Sequence, residues 1–181
     1  MFTTAATLTL STLDAGAAER HAPALGELLC ACVQDGASIG FVLPYGPADG
    51  EAYWRERVLP GVRAGEVTLL AAWRDGRLTG TVQLGCDTMP NQRHRADVRK
   101  LLVHPACRRQ GVARALMGEL ERLARLAGRT LLTLDTRTGD TAEPLYASLG
   151  YQTAGVIPQY ARDAASDRLD ATTFMYKILV C

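Results

Sequence analysis

The apolar positions of this chain change spacing several times, and each change marks an element. Val98 to Val103 is a β-type run that stops at His104-Pro105, because proline cannot extend a sheet ladder. Beyond Arg108-Arg109-Gln110-Gly111 the period becomes helical, with Val112, Leu116, Leu120, Leu123, Ala124 and Ala127 on one side. Upstream, Thr7 to Leu13 alternates weakly as an opening strand. Ala17 to Val33 reads as a helix with Leu25, Leu28, Leu29, Cys32 and Val33 on one side, Pro23 accepted in its first turn, and Asp35-Gly36 as its stop. Ala37 to Pro44 is apolar but punctuated by glycine, an irregular segment that either docks on the core or lines a pocket. Asp49 to Leu59 is a second helix, ended or kinked by Pro60-Gly61. Glu66 to Trp73 and Arg77 to Gly85 pair across Asp75-Gly76, a strong hairpin signal.

Downstream, Thr130 to Thr136 is a strand, and Ala142 to Leu149 is a short helix with Thr141 as its expected N-cap. Tyr151 to Ile157 and Thr172 to Leu179 are the last strands, and residues 158–170 between them read as a long polar loop. The order β-α-α-β-β-β-α-β-α-β-β predicts a mixed α/β fold.

Composition narrows the function more than the fold. A chain of 181 residues is most simply one domain, residues 1–181, with a real core. Twenty basic against nineteen acidic residues give a net charge of +1, which points away from nucleic acid. No window reaches the apolar length of a membrane span, and Met1 to Leu13 lacks the basic start and apolar run of a secretory signal, so a cytoplasmic protein is expected. Cys30, Cys32, Cys86, Cys107 and Cys181 show no CxxC spacing and, with three scattered histidines, no zinc pattern; free thiols and no metal are expected.

Strand, basic turn, helix is an arrangement that holds phosphate, since backbone N–H groups point into open space at the positive end of a helix. Gly111 and Ala113 let a diphosphate approach the backbone, and Arg108 and Arg109 add charge. The Gly-Lys-Ser/Thr of a P-loop is missing, as are the second and third glycines of a dinucleotide fingerprint. Asp97 and Asp135 are acids inside otherwise apolar strands, the informative kind of exception. Asp97 is either a base or a sheet-surface residue paired with Arg95 or Arg99; Asp135 is either a substrate group or a turn-side cap. Tyr146, at helical spacing, is by that measure alone a core residue. Cys107 lies beside the turn but has no evident base partner, and His94 and His104 read as polar loop residues.

Arg108-x-x-Gly111-x-Ala113 directly after a strand ending in proline resembles the pyrophosphate grip of the GNAT acetyltransferase family, and Leu145-Tyr146-Ala-Ser-Leu149-Gly150-Tyr151 resembles its tyrosine signature. Gly36 to Phe41, Ala96 to Leu101 and Leu134 to Thr136 are similar to members that acetylate amino-acid-like toxins. The chain departs from many members at Gly139, where they carry asparagine. The resemblance implies a mixed, mostly antiparallel central sheet of six to seven strands flanked by four helices, with acetyl-CoA as cofactor. It further implies that Gln110, Gly111, Val112 and Ala113, with Arg108 and Arg109, grip the diphosphate, and that main-chain groups of Leu102 and Val103 pair with the pantetheine like an added strand. Tyr146 becomes the expected general acid, Asp97 the expected base, and Asp135 the substrate anchor or second base. Ser38, Ile39, Phe41, Trp54 and Tyr160 are expected to wall the acceptor pocket. The implied activity is direct transfer of acetyl to a small-molecule primary amine by a monomer or homodimer. A protein lysine or N-terminal acetyltransferase and a non-catalytic coenzyme A sensor are the alternatives.

Overall fold

The computed structural model describes residues 7–180; Cys181 and the first six residues of the N-terminal reading lie outside them. Among the described residues seven strands, β1 (Leu8–Leu13), β2 (Val67–Arg74), β3 (Arg77–Gly85), β4 (Arg95–Val103), β5 (Leu131–Arg137), β6 (Gln152–Arg162) and β7 (Leu169–Ile178), form one sheet. Their order is β1-β2-β3-β4-β5-β7-β6. Every neighbouring pair is antiparallel except β4 and β5. The helices are α1 (Ala15–Arg20), α2 (Ala22–Gln34), α3 (Pro47–Tyr53), α4 (Leu59–Arg63), α5 (Val112–Leu126) and α6 (Ala142–Ser148). They make four helical bodies, since only His21 separates α1 from α2, and the π-helical turn Trp54–Val58 joins α3 to α4. No helix among the described residues is long and apolar enough to cross a membrane.

The sheet is covered on both faces, and β2 shows how the sequence achieves it. Leu70 and Ala72 join one core with Val112, Leu116 and Leu120 of α5 and Tyr146 of α6. Leu69 and Ala71, pointing the other way, join a second core with Leu25, Leu29 and Val33 of α2 and Trp54 and Val58 of the π turn. Strand residues alternate faces, so an unbroken run of buried residues is what a two-sided strand requires.

Four local expectations are corrected. The helix expected over Ala17–Val33 is two helices: Pro23 does sit in a first turn, but in that of α2, which begins at Ala22. Pro60 does not end its helix. Leu59 N–H bonds back to the Trp54 carbonyl in a widened π turn, and the helix resumes through Arg63. A proline offers no N–H to the carbonyl four residues back, and a π turn relocates that gap rather than breaking the helix. Thr141 stands at the N-cap of α6 but its side chain makes no capping bond. The Asp140 carboxylate instead accepts from Thr141 N–H at 2.6 Å, and Glu143 accepts from Gly139 N–H at 2.7 Å.

Residues 158–170 are for the most part not a loop; β6 and β7 continue as a long hairpin. Pro158 is tolerated because β6 is the sheet edge and its register shifts between Ile157 and Ala161, with Gln159 at φ +52°. Nearly every residue of β6 is exposed, so no alternation betrays it.

Two features create a cleft. β4 and β5 pair only at Arg95↔Leu131, Ala96↔Leu132 and Asp97↔Thr133. Beyond that, β4 follows β3 to Val103 while β5 follows β7 to Arg137, so the strands part. The register of β4 on β3 also skips between Arg99 and Leu102, and Lys100 in this bulge has φ +50°. A bulge bends its strand and re-aims side chains.

Candidate active site

The parted strands open a cleft of about 940 Å³. At one end lies the basic turn. Arg108 is extended, Arg109 has φ +62° and Gly111 φ +82°, and α5 then starts with no side-chain cap. Its first-turn amides therefore remain free donors beside the cleft, with Val112, Ala113 and Arg114 on the lining. A Cβ on Gly111 would meet nothing within 4 Å, so the glycine is required by its left-handed backbone and not by lack of space. Gly80 serves the same end by close approach: a Cβ there would lie 2.7 Å from the Leu102 carbonyl and 3.0 Å from Val112. Without a side chain at that position β3 lets α5 start hard against the sheet.

The charges at this end are unevenly used. Arg108 pairs with Asp35 at the end of α2. Arg114 donates to the Ser148 hydroxyl at 2.8 Å, and neither it nor Arg109 has a carboxylate partner among the described residues. Gln110 does not line the cleft; its amide turns away to Arg74 and to the Ala106 carbonyl. Along the middle, Leu102 and Val103 line the cleft on the β4 edge that no strand covers beyond Asp97.

Away from the turn, Tyr146 of α6 and Asp135 of β5 both line the cleft. Tyr146 is 6% exposed and still reaches the lining. Burial, then the charges of Asp135 and Asp140, push its phenol well above the ordinary tyrosine range, so it stays protonated. Its helix is pinned by Lys177, whose Nζ donates to the Leu149 carbonyl at 2.6 Å and to Glu121 at 2.7 and 2.8 Å. Asp135 is exposed on the wall and has no ion pair or hydrogen bond among the described side chains. Nearby, Arg137 holds Asp140 at 3.1 Å and Asp163 at 3.5 Å, tying the outer hairpin to β5.

Besides Gln110, three expected site residues stand elsewhere. Asp97 is not on the cleft. Its carboxylate takes Arg95 at 2.6 Å, Arg99 at 3.1 Å and the Thr133 hydroxyl. Burial alone would raise its pKa, but hydrogen bonds from Thr133 and Arg99 and the two guanidinium charges outweigh it and leave the carboxyl below its ordinary 3.8. A carboxylate so stabilised is a poor base, and the reading as a paired sheet residue is the one its surroundings support. Trp54 is 2% exposed and donates its indole N–H to the Leu25 carbonyl at 2.8 Å, inside the second core. Phe41 packs on Tyr45 and Tyr53 behind the wall, while Ser38, Ile39, Gly40 and Tyr160 do line the cleft. The 36–44 segment thus both docks on the core and lines the pocket.

Asp97→Asn should therefore act on stability. Replacing one member of a charged, partly buried network costs about 1–3 kcal/mol. Because the folded pKa is depressed, the difference from wild type is full above the unfolded value of about 3.9 and disappears as pH falls through the folded value. Denaturant unfolding at pH 7 and pH 2.5 measures this, while turnover should stay within about threefold if the residue takes no part in proton transfer.

Tyr53 and Lys100 line the cleft and were not among the expected site residues. Lys100 is a charged residue in an apolar strand, the same signal that singled out Asp97, but only the bulge turns it inward. Cys107 lies on the rim without a base: the nearby His104 imidazole instead accepts the Ala106 N–H at 3.2 Å. Cys32, pushed by burial up to about 11, is an inert thiol.

Comparison with known proteins finds the same fold. Residues 65–153 match the model of the acetyltransferase (GNAT) domain. The ribosomal-protein-alanine N-acetyltransferase from Brucella melitensis is 22% identical, with TM-score 0.78 over 94% of this chain and 99% of that one. The protein yncA from Salmonella typhimurium, solved with its cofactor acetyl-CoA, is 23% identical with TM-score 0.75 over 96% and 94%. A structure provisionally described as a phosphinothricin N-acetyltransferase is 17% identical with TM-score 0.75 over 97% and 100%. Likeness at these identities is likeness of fold. Joined to the domain match, which spans the hairpin, the parted strand, the basic turn and the tyrosine signature, it gives the chain the GNAT fold and supports an N-acetyltransferase enzyme.

Proposed function

We propose that the protein moves an acetyl group from acetyl-CoA directly to a primary amine of a small, amino-acid-like molecule. The observation that carries this is one cleft with free amides and uncommitted arginines at one end, an uncovered strand edge in the middle, and a protonated phenol beside an unpaired carboxylate at the other. The residues fit acetyl-CoA: the amides of Gly111, Val112 and Ala113 with Arg109 and Arg114 suit a diphosphate, and the free edge at Leu102 and Val103 suits an amide-bearing pantetheine.

Acetyl-CoA supplies an activated acetyl thioester. This chain supplies the rest. Asp135 holds the acceptor's ammonium in the cleft and takes up its proton, through water where the distance requires. A main-chain N–H on the free β4 edge polarises the acyl oxygen. Tyr146 Oη gives its proton to the departing sulfur. Attack by the amine on the carbonyl carbon forms the C–N bond and breaks the C–S bond; the second proton leaves the nitrogen as the amide forms and returns through water to the Tyr146 oxygen, with no cysteine ester between.

The acceptor end favours a small molecule over a protein, since the 36–40 segment and Tyr160 and Ala161 of the hairpin wall it on two sides. The stretches Gly36–Phe41, Ala96–Leu101 and Leu134–Thr136 resemble the tabtoxin-resistance acetyltransferase, and the phosphinothricin description of one structural neighbour points to the same substrate class. The name of the Brucella neighbour keeps an N-terminal amine as the second reading. The four described cysteines are unbridged, in keeping with a cytoplasmic site of action.

Thiol release from acetyl-CoA across a panel of amino acids, amines and peptides tests the proposal. Release with a small amine supports it, release with peptides alone favours the second reading, and tight coenzyme A binding without release leaves a sensor. Arg109→Asn, which tolerates the left-handed backbone, should weaken acetyl-CoA binding about three- to tenfold at low salt, with the loss shrinking as salt is added. Calorimetry at two ionic strengths reads it.

A further inference from the structure

The way the cleft's charges are paired separates its two ends. Of the acids lining it, Asp35 is paired with Arg108 and Asp140 with Arg137, and the cation Arg99 is paired with Asp87 and Asp97. Arg109 and Arg114 are without acidic partners, and both stand at the phosphate end. At the acceptor end two groups of opposite sign are left over, Lys100 and Asp135. They rise from the two strands that part there, three residues beyond the last parallel pair on β4 and two beyond it on β5.

Lys100 is held as a binding group is held. Its Nζ donates to the Ile39 carbonyl at 2.8 Å and lies 5.4 Å from the Phe41 ring and 5.6 Å from the Tyr53 ring. One backbone acceptor and two aromatic faces fix the ammonium without neutralising it, and two of its three donors have no partner among the described residues. The approach is open as well. Gly40, at φ +92°, is the lining residue beside the ammonium, and a Cβ there would stand 3.8 Å from Nζ. Burial, with the charge of Arg99, lowers the pKa of Lys100 below its ordinary value, and the charge of Asp135 offsets only part of this, as expected of a desolvated cation that gains from an anion.

We propose that Lys100 is the carboxylate anchor of the acceptor subsite, so that the preferred acceptor is a free amino acid or close analogue, its ammonium toward Asp135 and its carboxylate on the Lys100 ammonium. This rests on the acetyl-transfer reading above and adds the substrate's second charge. It also excludes a peptide N-terminus, where an amide replaces the adjacent carboxylate.

The test compares the common L-amino acids with their carboxamides, molecules alike except for that charge, by thiol release from acetyl-CoA. Wild type is expected to turn over at least one free acid with kcat/KM about 10- to 100-fold above its carboxamide, the span a charge-assisted hydrogen bond supplies. Lys100→Gln should bring that ratio to within about threefold, mainly through KM for the acid, and Lys100→Arg should restore part of it. A merely structural lysine would lower both rates and leave the ratio alone. Equal turnover of acids and carboxamides by wild type, or a ratio that survives Lys100→Gln, overturns the anchor while acetyl transfer stands. Absence of thiol release with every amine overturns acetyl transfer itself. The wild-type comparison decides even if the variant does not fold.

Discussion

Tyr146→Phe is expected to lower kcat by about 100- to 1000-fold while acetyl-CoA binds within about twofold of wild type. The substitution removes one oxygen and keeps the ring, which packs against Tyr151 at 5.8 Å between centroids and belongs to the α5-side core. Stability should therefore change little. Burial and the charges of Asp135 and Asp140, with no hydrogen bond, act on the phenol, so its proton is uncommitted. Its raised pKa does not disqualify it as an acid. A thiolate leaving into the same desolvated pocket has its own proton affinity raised, so the gap between donor and acceptor stays near that of the free groups, about 10 against 8.5. The same elevation predicts that wild-type kcat shows no falling limb from phenol ionisation below about pH 10. Single-turnover kinetics with the best amine checks both points; an unchanged chemical step in Tyr146→Phe would transfer the thiol's proton to water.

Gly26→Ala should destabilise the fold by about 1–3 kcal/mol in denaturant unfolding. An alanine ordinarily strengthens a helix interior by about 1 kcal/mol relative to glycine. Here the added Cβ would lie 2.6 Å from Glu51 N and 2.7 Å from the Pro47 carbonyl. Gly50 on α3 faces it, and a Cβ there would meet the Gly26 carbonyl at 2.5 Å. Both neighbours are backbone and cannot swing aside, so α2 and α3 must separate, and overpacking of this kind outweighs the propensity gain. Because α3 runs on into the π turn and the Tyr53 wall, Gly26→Ala should also raise KM for the amine more than for acetyl-CoA. Gly118→Ala on α5, where a Cβ meets nothing within 4 Å, is the control and should be neutral or stabilising.

The sequence by itself determined the elements that obey one rule along their own length. The Asp75-Gly76 turn needs two left-handed residues and has them at φ +50° and +74°. The α5 stripe from Val112 to Ala124 is buried as its period requires, and Gly111 before it is left-handed and uncapped, so the strand–turn–helix was legible from spacing alone. Tyr146 was legible only through its signature, since helical spacing says core, and it is both core and cleft.

Tertiary structure decided what depends on a partner distant in the chain. Asp97 and Asp135 look alike in sequence, each an acid in an apolar strand. Arg95, Arg99 and Thr133 neutralise the first, whereas the divergence of β4 from β5 leaves the second open to the cleft. Trp54 and Tyr53 are adjacent, and the turn of the helix sends the indole to Leu25 and gives the phenol ring to the wall. Lys100 faces inward because the β4 strand gains a residue against β3, a two-strand event that no one-strand pattern records. Periodicity reports which face a residue takes; which charges find a counter-charge is fixed only when strands and helices from separate parts of the chain come together.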